Sequence, residues 1–336
     1  MNKIFVLGYF GKQTNQLDGQ TIKTRDLYKL ICQEFEYVDY YDTEEFKYHR
    51  LSIFKMLWKV ITCHTIVYLP AHNNLTVIFP LIYIISKIFR TKIHYFVVGG
   101  WLKEFLANLP IHRLMLRHIS GIHTETKLLK NELETCYNFT NIDVFPNFRF
   151  FDFKPSRTNS DKLRVVFMAR VNKMKGLDWI FKLADYITIN RLEDKITLSF
   201  YGPIHDEDRD YFETELSKFS FAEYKGVLQP TEIHQILNNY DLMLLPTHYY
   251  TEGLPGSIVD AYISGIPVIV TEWKHAKEFV EDGVCGYIIP FENGVNDLIE
   301  HVVRLADNRE ELRTLQEGAL LQRVSFTPPS IDFLIK

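Results

Sequence analysis

The chain has 336 residues, 46% of them hydrophobic and 24% charged, and a formal net charge of −4. This is ordinary globular usage with room for two domains of about 150 residues each, and nucleic acid is not expected as a partner. The four cysteines, Cys32, Cys63, Cys136 and Cys285, are isolated, lack metal-ligand spacing and read as reduced thiols of a cytosolic protein.

The chain starts directly as a buried strand, so no signal peptide is expected. Strands follow at 3–7, 37–41, 65–69, 92–98, 121–123 and 142–145, with helices between them, clearest at 21–35, 75–89 and 126–136. The most apolar stretch, 75–89, is interrupted by Pro80 and Lys87 and falls short of the roughly 18 residues that a membrane span needs. A break is expected around 146–160, where the polar run from Lys154 to Ser160 follows Pro146-Asn147. Beyond it, strands are expected at 163–169, 196–201, 242–245, 267–271 and 287–289, and helices at 177–189, 209–219 and 231–239.

Many of these strands are continuous apolar runs, as in parallel sheets covered on both faces. The alternation predicts two doubly wound α/β domains, at 1–150 and 151–325, with a ligand in the cleft between them. A tail, 326–336, is expected to pack on the first domain.

Charge is unevenly placed. Residues 1–150 hold 18 Lys/Arg against 13 Asp/Glu, and residues 151–336 hold 20 against 29. Within 51–120 the basic residues are Lys55, Lys59, Lys87, Arg90, Lys92, Lys103, Arg113 and Arg117, and Glu104 is the only acid. Apolar and aromatic residues are interleaved with them, as on a surface that faces an anionic membrane or a lipid diphosphate. Solvated crossover helices that simply lack acids give the same composition.

Two loops in the second half carry chemistry. Strand 163–169 ends at Arg170, and Lys175-Gly176 follows around a turn, so that a guanidinium fork and a point charge can hold a diphosphate. Strand 242–245 leads to Glu252-Gly253-Leu254-Pro255-Gly256, a turn that opens a short helix containing Asp260 and closed by Gly265. Pro255 suits the first helical turn. The free N–H groups of that turn suit an anionic ligand that also carries hydroxyls, such as a nucleotide sugar. The acidic run Asp206-Glu207-Asp208 reads as helix capping by Asp208, not as a metal site.

The stretch 242–290 resembles the donor-binding segment of family 4 glycosyltransferases, retaining enzymes of the GT-B fold with two Rossmann-like domains. That family carries two glutamates separated by seven residues; here the second is Asp260, one methylene shorter. The resemblance implies that Arg170, Lys175 and Gly176 bind the donor diphosphate, that Glu252 contacts donor-sugar hydroxyls, and that Asp260 contacts the nucleotide ribose. It implies a loop after the first strand near the donor phosphates, where Gly19 and Gln20 fit best. The loop lacks the Gly-x-Gly-x-x-Gly fingerprint, which argues against a dehydrogenase. Acceptor-side candidates are His72, Gly99, Gly100, Trp101 and His123.

The expected activity is transfer of a sugar, hexosyl in type, from a nucleoside diphosphate to a glycan or lipid-linked glycan in capsule, exopolysaccharide or lipopolysaccharide assembly. No cofactor or metal is expected. The protein is expected in the cytoplasm or peripheral on the inner face of the membrane. A nucleotide-sugar 2-epimerase, a phosphorylase and an inactive sugar-nucleotide-binding subunit remain open.

Overall fold

The computed structural model describes residues 2–70, 72–156 and 160–335; of His72 and Asn73 only the backbone is described. The chain divides into two compact units, Met1–Phe150 together with Pro328–Lys336, and Phe151–Thr327.

The first unit holds six parallel strands: β1 (Ile4–Gly8), β2 (Val38–Asp42), β3 (Thr65–Leu69), β4 (Lys92–Phe96), β5 (Gly121–Thr124) and β6 (Ile142–Val144). They lie in the order β2-β1-β3-β4-β5-β6. Alternate side chains of a strand point to opposite faces, and β1 builds both layers of the core. Phe5 and Leu7 join Met56, Val60 and Phe79 on one side. Ile4 and Val6 join Leu27 and Ile31 of the helix Gly19–Glu34 on the other.

The second layer is completed from the far end of the sequence. Ile331 and Leu334 are buried in it, and the Thr65 hydroxyl donates to the Leu334 carbonyl at 3.1 Å. Phe326, by contrast, belongs to the core of the second unit.

The helix after β1 starts two residues before the expected Thr21. Asp18 accepts from the Thr21 amide and the Thr21 hydroxyl accepts from the Asp18 amide, which satisfies two otherwise orphaned donors and fixes the start.

The second unit repeats the plan with β7 (Leu163–Met168), β8 (Ile196–Tyr201), β9 (Ala222–Tyr224), β10 (Leu242–Leu245), β11 (Val268–Thr271) and β12 (Gly286–Ile289), all parallel. Their order is β12-β11-β10-β7-β8-β9. The edge strand β9 escapes sequence reading because its three residues include an exposed Glu223 and form no apolar run. At the centre β7 pairs with β8 on one side and β10 on the other. The chain order reverses there, so the loops leaving β7 and β10 emerge side by side at a topological switch point.

No helix among the described residues is long and apolar enough to cross a membrane.

Candidate functional site

In the second unit the loop after β7 is held by short-range bonds. Asn172 accepts from the Lys175 amide at 2.9 Å and caps a single 3-10 turn, Lys173–Lys175. Gly176 follows at φ +85°, and a Cβ there would lie 2.0 Å from the Pro246 carbonyl oxygen. Only glycine lets this loop approach the end of β10 so closely.

Cross-links between the two loops follow. Thr247 Oγ1 donates to the Met174 carbonyl at 3.3 Å, and the His248 amide donates to the same oxygen at 2.9 Å. His248 Nε2 lies 3.0 Å from Asp178 Oδ1. Burial is the largest single influence on the Asp178 carboxyl and pushes it up, but the hydrogen bond and charge of His248, a backbone hydrogen bond and the charge of Lys182 together hold the group below its ordinary range.

The result is an ion pair between Lys175 Nζ and Glu252 Oε2. Both side chains keep some access to water, at 17% and 19% exposure. Thr247 Oγ1 lies 3.4 Å from the same carboxylate oxygen, and the Lys175 ammonium sits 5.0 Å from the centre of the Tyr249 ring. Arg170 is exposed beyond the end of β7. Gly253, Leu254 and Pro255 are buried and lead into the helix Gly256–Ile263. Pro255 is the extended residue before that helix (ψ 128°), not part of its first turn as the sequence reading has it. Gly265 follows the helix at φ +67°, the expected left-handed closure.

Two residues depart from expectation in ways that bear on the site. Asp208 makes no side-chain cap to the helix it precedes; its Oδ2 accepts from the Lys173 amide at 3.1 Å and tethers the β7 loop instead. Asp260 is buried, with Oδ1 3.1 Å from His234 Nε2. His234 has no sequence signal, because the two residues are 26 positions apart. Asn172 was readable, since an Asn three residues before the amide it caps is an ordinary turn signal.

In the first unit the loop after β1 is tied to the residues that end β2. Asp42 accepts from the amides of Phe10 and Lys12, and Glu44 accepts from the Gln13 amide and the Thr14 hydroxyl. Gly19 is exposed at the start of its helix, and the Gln20 Nε2 is buried without a hydrogen-bond partner.

Gly99, at φ +83°, donates its amide to Glu125 Oε2 at 3.0 Å. The other oxygen of Glu125 accepts from Lys23 at 2.6 Å, and Lys23 also donates to the Val97 carbonyl at 2.9 Å. The turn after β4, which includes Gly100, is thus held from below by a buried ion pair. Trp101 is half-buried, its indole N–H donating to the Val98 carbonyl at 2.7 Å and its ring meeting Phe105 edge-on.

His123 is a core residue, not a ligand-facing one. It lies inside β5, with Nε2 3.0 Å from His94 Nδ1, and Phe333 covers its ring at 4.5 Å. Burial drives its pKa down to about 3 and that of His94 to about 4. The helix His72–Phe89 begins at His72, whose side chain lies outside the described residues.

Residues 148–321, more than half of the chain, match the family described as glycosyl transferases group 1, and the chain belongs to that family. Its fold is GT-B. It is similar over 97% of its length to 96% of Anabaena HepE, solved in complex with UDP and glucose, with TM-score 0.74 and 16% identity. It is also similar to sucrose-phosphate synthase from Thermosynechococcus elongatus, with TM-score 0.72, 12% identity and coverage of 97% and 95% of the two chains. In sequence it is 24% identical over 187 residues to a 41.2 kDa protein in the cps region of Klebsiella pneumoniae, covering 54% of this chain and 49% of that one. It is 26% identical over 149 residues to WcaL of Salmonella typhimurium, a protein named for colanic acid biosynthesis, covering 43% and 36%. The chain thus spans half or less of the length of these two relatives.

Proposed function

We propose that this protein is a retaining glycosyltransferase that moves a sugar from a nucleoside diphosphate to a glycan or lipid-linked glycan in cell-surface polysaccharide synthesis. The observation that carries the reading is the half-open Lys175–Glu252 pair beside the start of helix Gly256–Ile263, at the carboxyl ends of β7 and β10. Support also comes from HepE, whose complex contains UDP and glucose, and from the names of the relatives, one placed in a cps region and one named for colanic acid biosynthesis.

The chemistry is cleavage of the anomeric C–O bond to a diphosphate. Negative charge grows on the departing phosphate, and in this reading Arg170, Lys175 and the amides at the helix start receive it. The reading calls on no metal ion. Lys175 exchanges part of its contact with Glu252 for phosphate oxygens, and Glu252 turns to hydroxyls of the donor sugar. Asp260 reaches the nucleotide ribose, with His234 fixing its carboxylate.

Retention fits a front-face route, in which the departing phosphate oxygen takes the proton of the acceptor hydroxyl as the new C–O bond forms. No side-chain base is then required. The first unit holds the acceptor, with Gly99, Gly100 and Trp101 as its contacts, and works at the inner face of a membrane.

The test is a thermal-shift screen of UDP, GDP, ADP and CMP sugars, since a ligand bound to the native state raises the melting temperature. It is followed by transfer assays with the responding donor and anomeric analysis of the product by NMR. Donor turnover without an acceptor, inversion at the anomeric carbon, or wild-type transfer in Lys175→Ala and Glu252→Ala overturns the reading.

A further inference from the structure

The helix His72–Phe89 is apolar on both sides. Leu75, Phe79 and Ile82 are buried in the core of the first unit. Opposite them Val77, Leu81, Ile84 and Ile88, spaced by four, three and four residues, form a stripe open to solvent. Core packing accounts for the first set and not for the second.

The two helices packed against this one extend the stripe into a face. Phe54 and Trp58 of Ser52–Thr62 are each 68% exposed, and Leu51 just before them is 77% exposed. Ile111 and Leu114 of Pro110–Arg117 are exposed as well. Side-chain bonds lock the arrangement: His112 Nε2 lies 3.3 Å from the Thr76 carbonyl, and Lys87 donates to the His118 carbonyl at 2.6 Å. Of the 23 large apolar side chains exposed among the described residues, ten fall between Leu51 and Leu114. Clustering of this kind marks an interaction surface, whereas scattered exposed apolar residues need no explanation.

The charge around the face selects its occupant. Lys55, Lys87, Arg90 and Arg117 are exposed on these elements, and Glu104 is the only acid between residues 51 and 120. At one edge a cavity of about 260 Å³ is lined by Arg113, Arg117 and Tyr137. A second copy of this face would bring like charges together. An apolar centre with a rim of one positive sign instead matches a lipid surface with anionic head groups.

We infer that these three helices seat on an anionic phospholipid bilayer. Val77, Leu81, Ile84 and Ile88 lie at the boundary of the acyl chains, and the cationic rim lies at the phosphates. This deepens the reading of a lipid-linked acceptor but requires no sugar transfer to operate, so the two can fail separately.

The experiment is cosedimentation of the full chain with vesicles of phosphatidylglycerol and phosphatidylcholine, against phosphatidylcholine alone, in low and high salt. The expected result is binding to the anionic vesicles that weakens in salt without vanishing, with a blue shift of the emission of Trp58. Ile84→Glu, at an exposed position, should lower binding at least tenfold while leaving the melting temperature and the nucleotide-sugar thermal shift unchanged. Arg117→Gln should lower it about fivefold, equivalent to about 1 kcal/mol for one basic residue near the surface. The inference is overturned if the chain stays in the supernatant with both vesicle types or if Ile84→Glu binds as wild type. It is also overturned if the chain elutes as a dimer that Ile84→Glu dissolves, which would make the face a contact between copies.

Discussion

Each unit places a lysine and a glutamate together where its parallel strands end, and the two pairs differ in their access to water. Lys23 and Glu125 are each 2% exposed, and their remaining donors and acceptors meet the Val97 carbonyl and the Gly99 amide. Burial pulls the Lys23 pKa down against the pull of Glu125. Lys175 and Glu252 lie in a half-open loop with weaker secondary partners, Thr247 and the Tyr249 ring. A charge pair enclosed on all sides fixes backbone, because neither member has anywhere else to go. A pair at the rim can trade one partner for a ligand. On the proposed function, the same two residue types act as scaffold in the first unit and as binding chemistry in the second.

The largest effect that can break this contrast is on stability. Lys23→Met strands Glu125 in a dry site and should cost about 3–5 kcal/mol in urea unfolding of the first unit, while Lys23→Met with Glu125→Leu should recover most of the loss. A small effect of the single change would show that the pair is not scaffold. Lys175→Ala and Glu252→Ala should behave oppositely. Transfer should fall about 100-fold, near 3 kcal/mol in barrier, with a melting temperature close to wild type, as read by initial rates and calorimetry.

The buried His94–His123 pair sharpens the contrast by pH. The unfolded chain takes up protons near pH 6.5, whereas burial delays uptake in the folded state to about 4 for His94 and about 3 for His123. The unfolded state therefore holds more protons in that window, and stability falls as pH drops below 6.5, by about 1.4 kcal/mol per histidine per pH unit. The fall should level off below the folded values. His94→Phe should flatten the acid limb of a melting-temperature profile, and an unchanged limb would assign it elsewhere. The smallest effect is expected at the rim. Asn172→Ala removes the cap of the 173–175 turn and should cost about 1 kcal/mol, read mainly as weaker donor binding.

The sequence carried the strands because β1, β3, β10 and β11 are nearly unbroken apolar runs, the common pattern of parallel strands covered on both faces. The Lys175 and Glu252 loops were legible for a related reason, since each follows a mostly apolar strand and contains the glycine its turn requires. What stayed hidden depended on partners distant in sequence. His123 has a sequence context that fits a strand-end ligand, but Phe333 and His94 enclose it. Asp208 looked like a cap because acids favour helix starts, yet the Lys173 amide, 35 positions away, claims its oxygen. The exposed stripe of the helix His72–Phe89 was masked by composition, which shows that residues are apolar but not which of them the fold leaves uncovered.

The return of Pro328–Lys336 to the first unit sets an order of assembly. On the ribosome, the segment that contributes Ile331 and Leu334 emerges only after all of Phe151–Thr327 has been made. Until then Ile4, Val6 and Phe96 lack part of their cover, so the amino-terminal half, although synthesised first, cannot reach its final packing before residues 331–334 have been made.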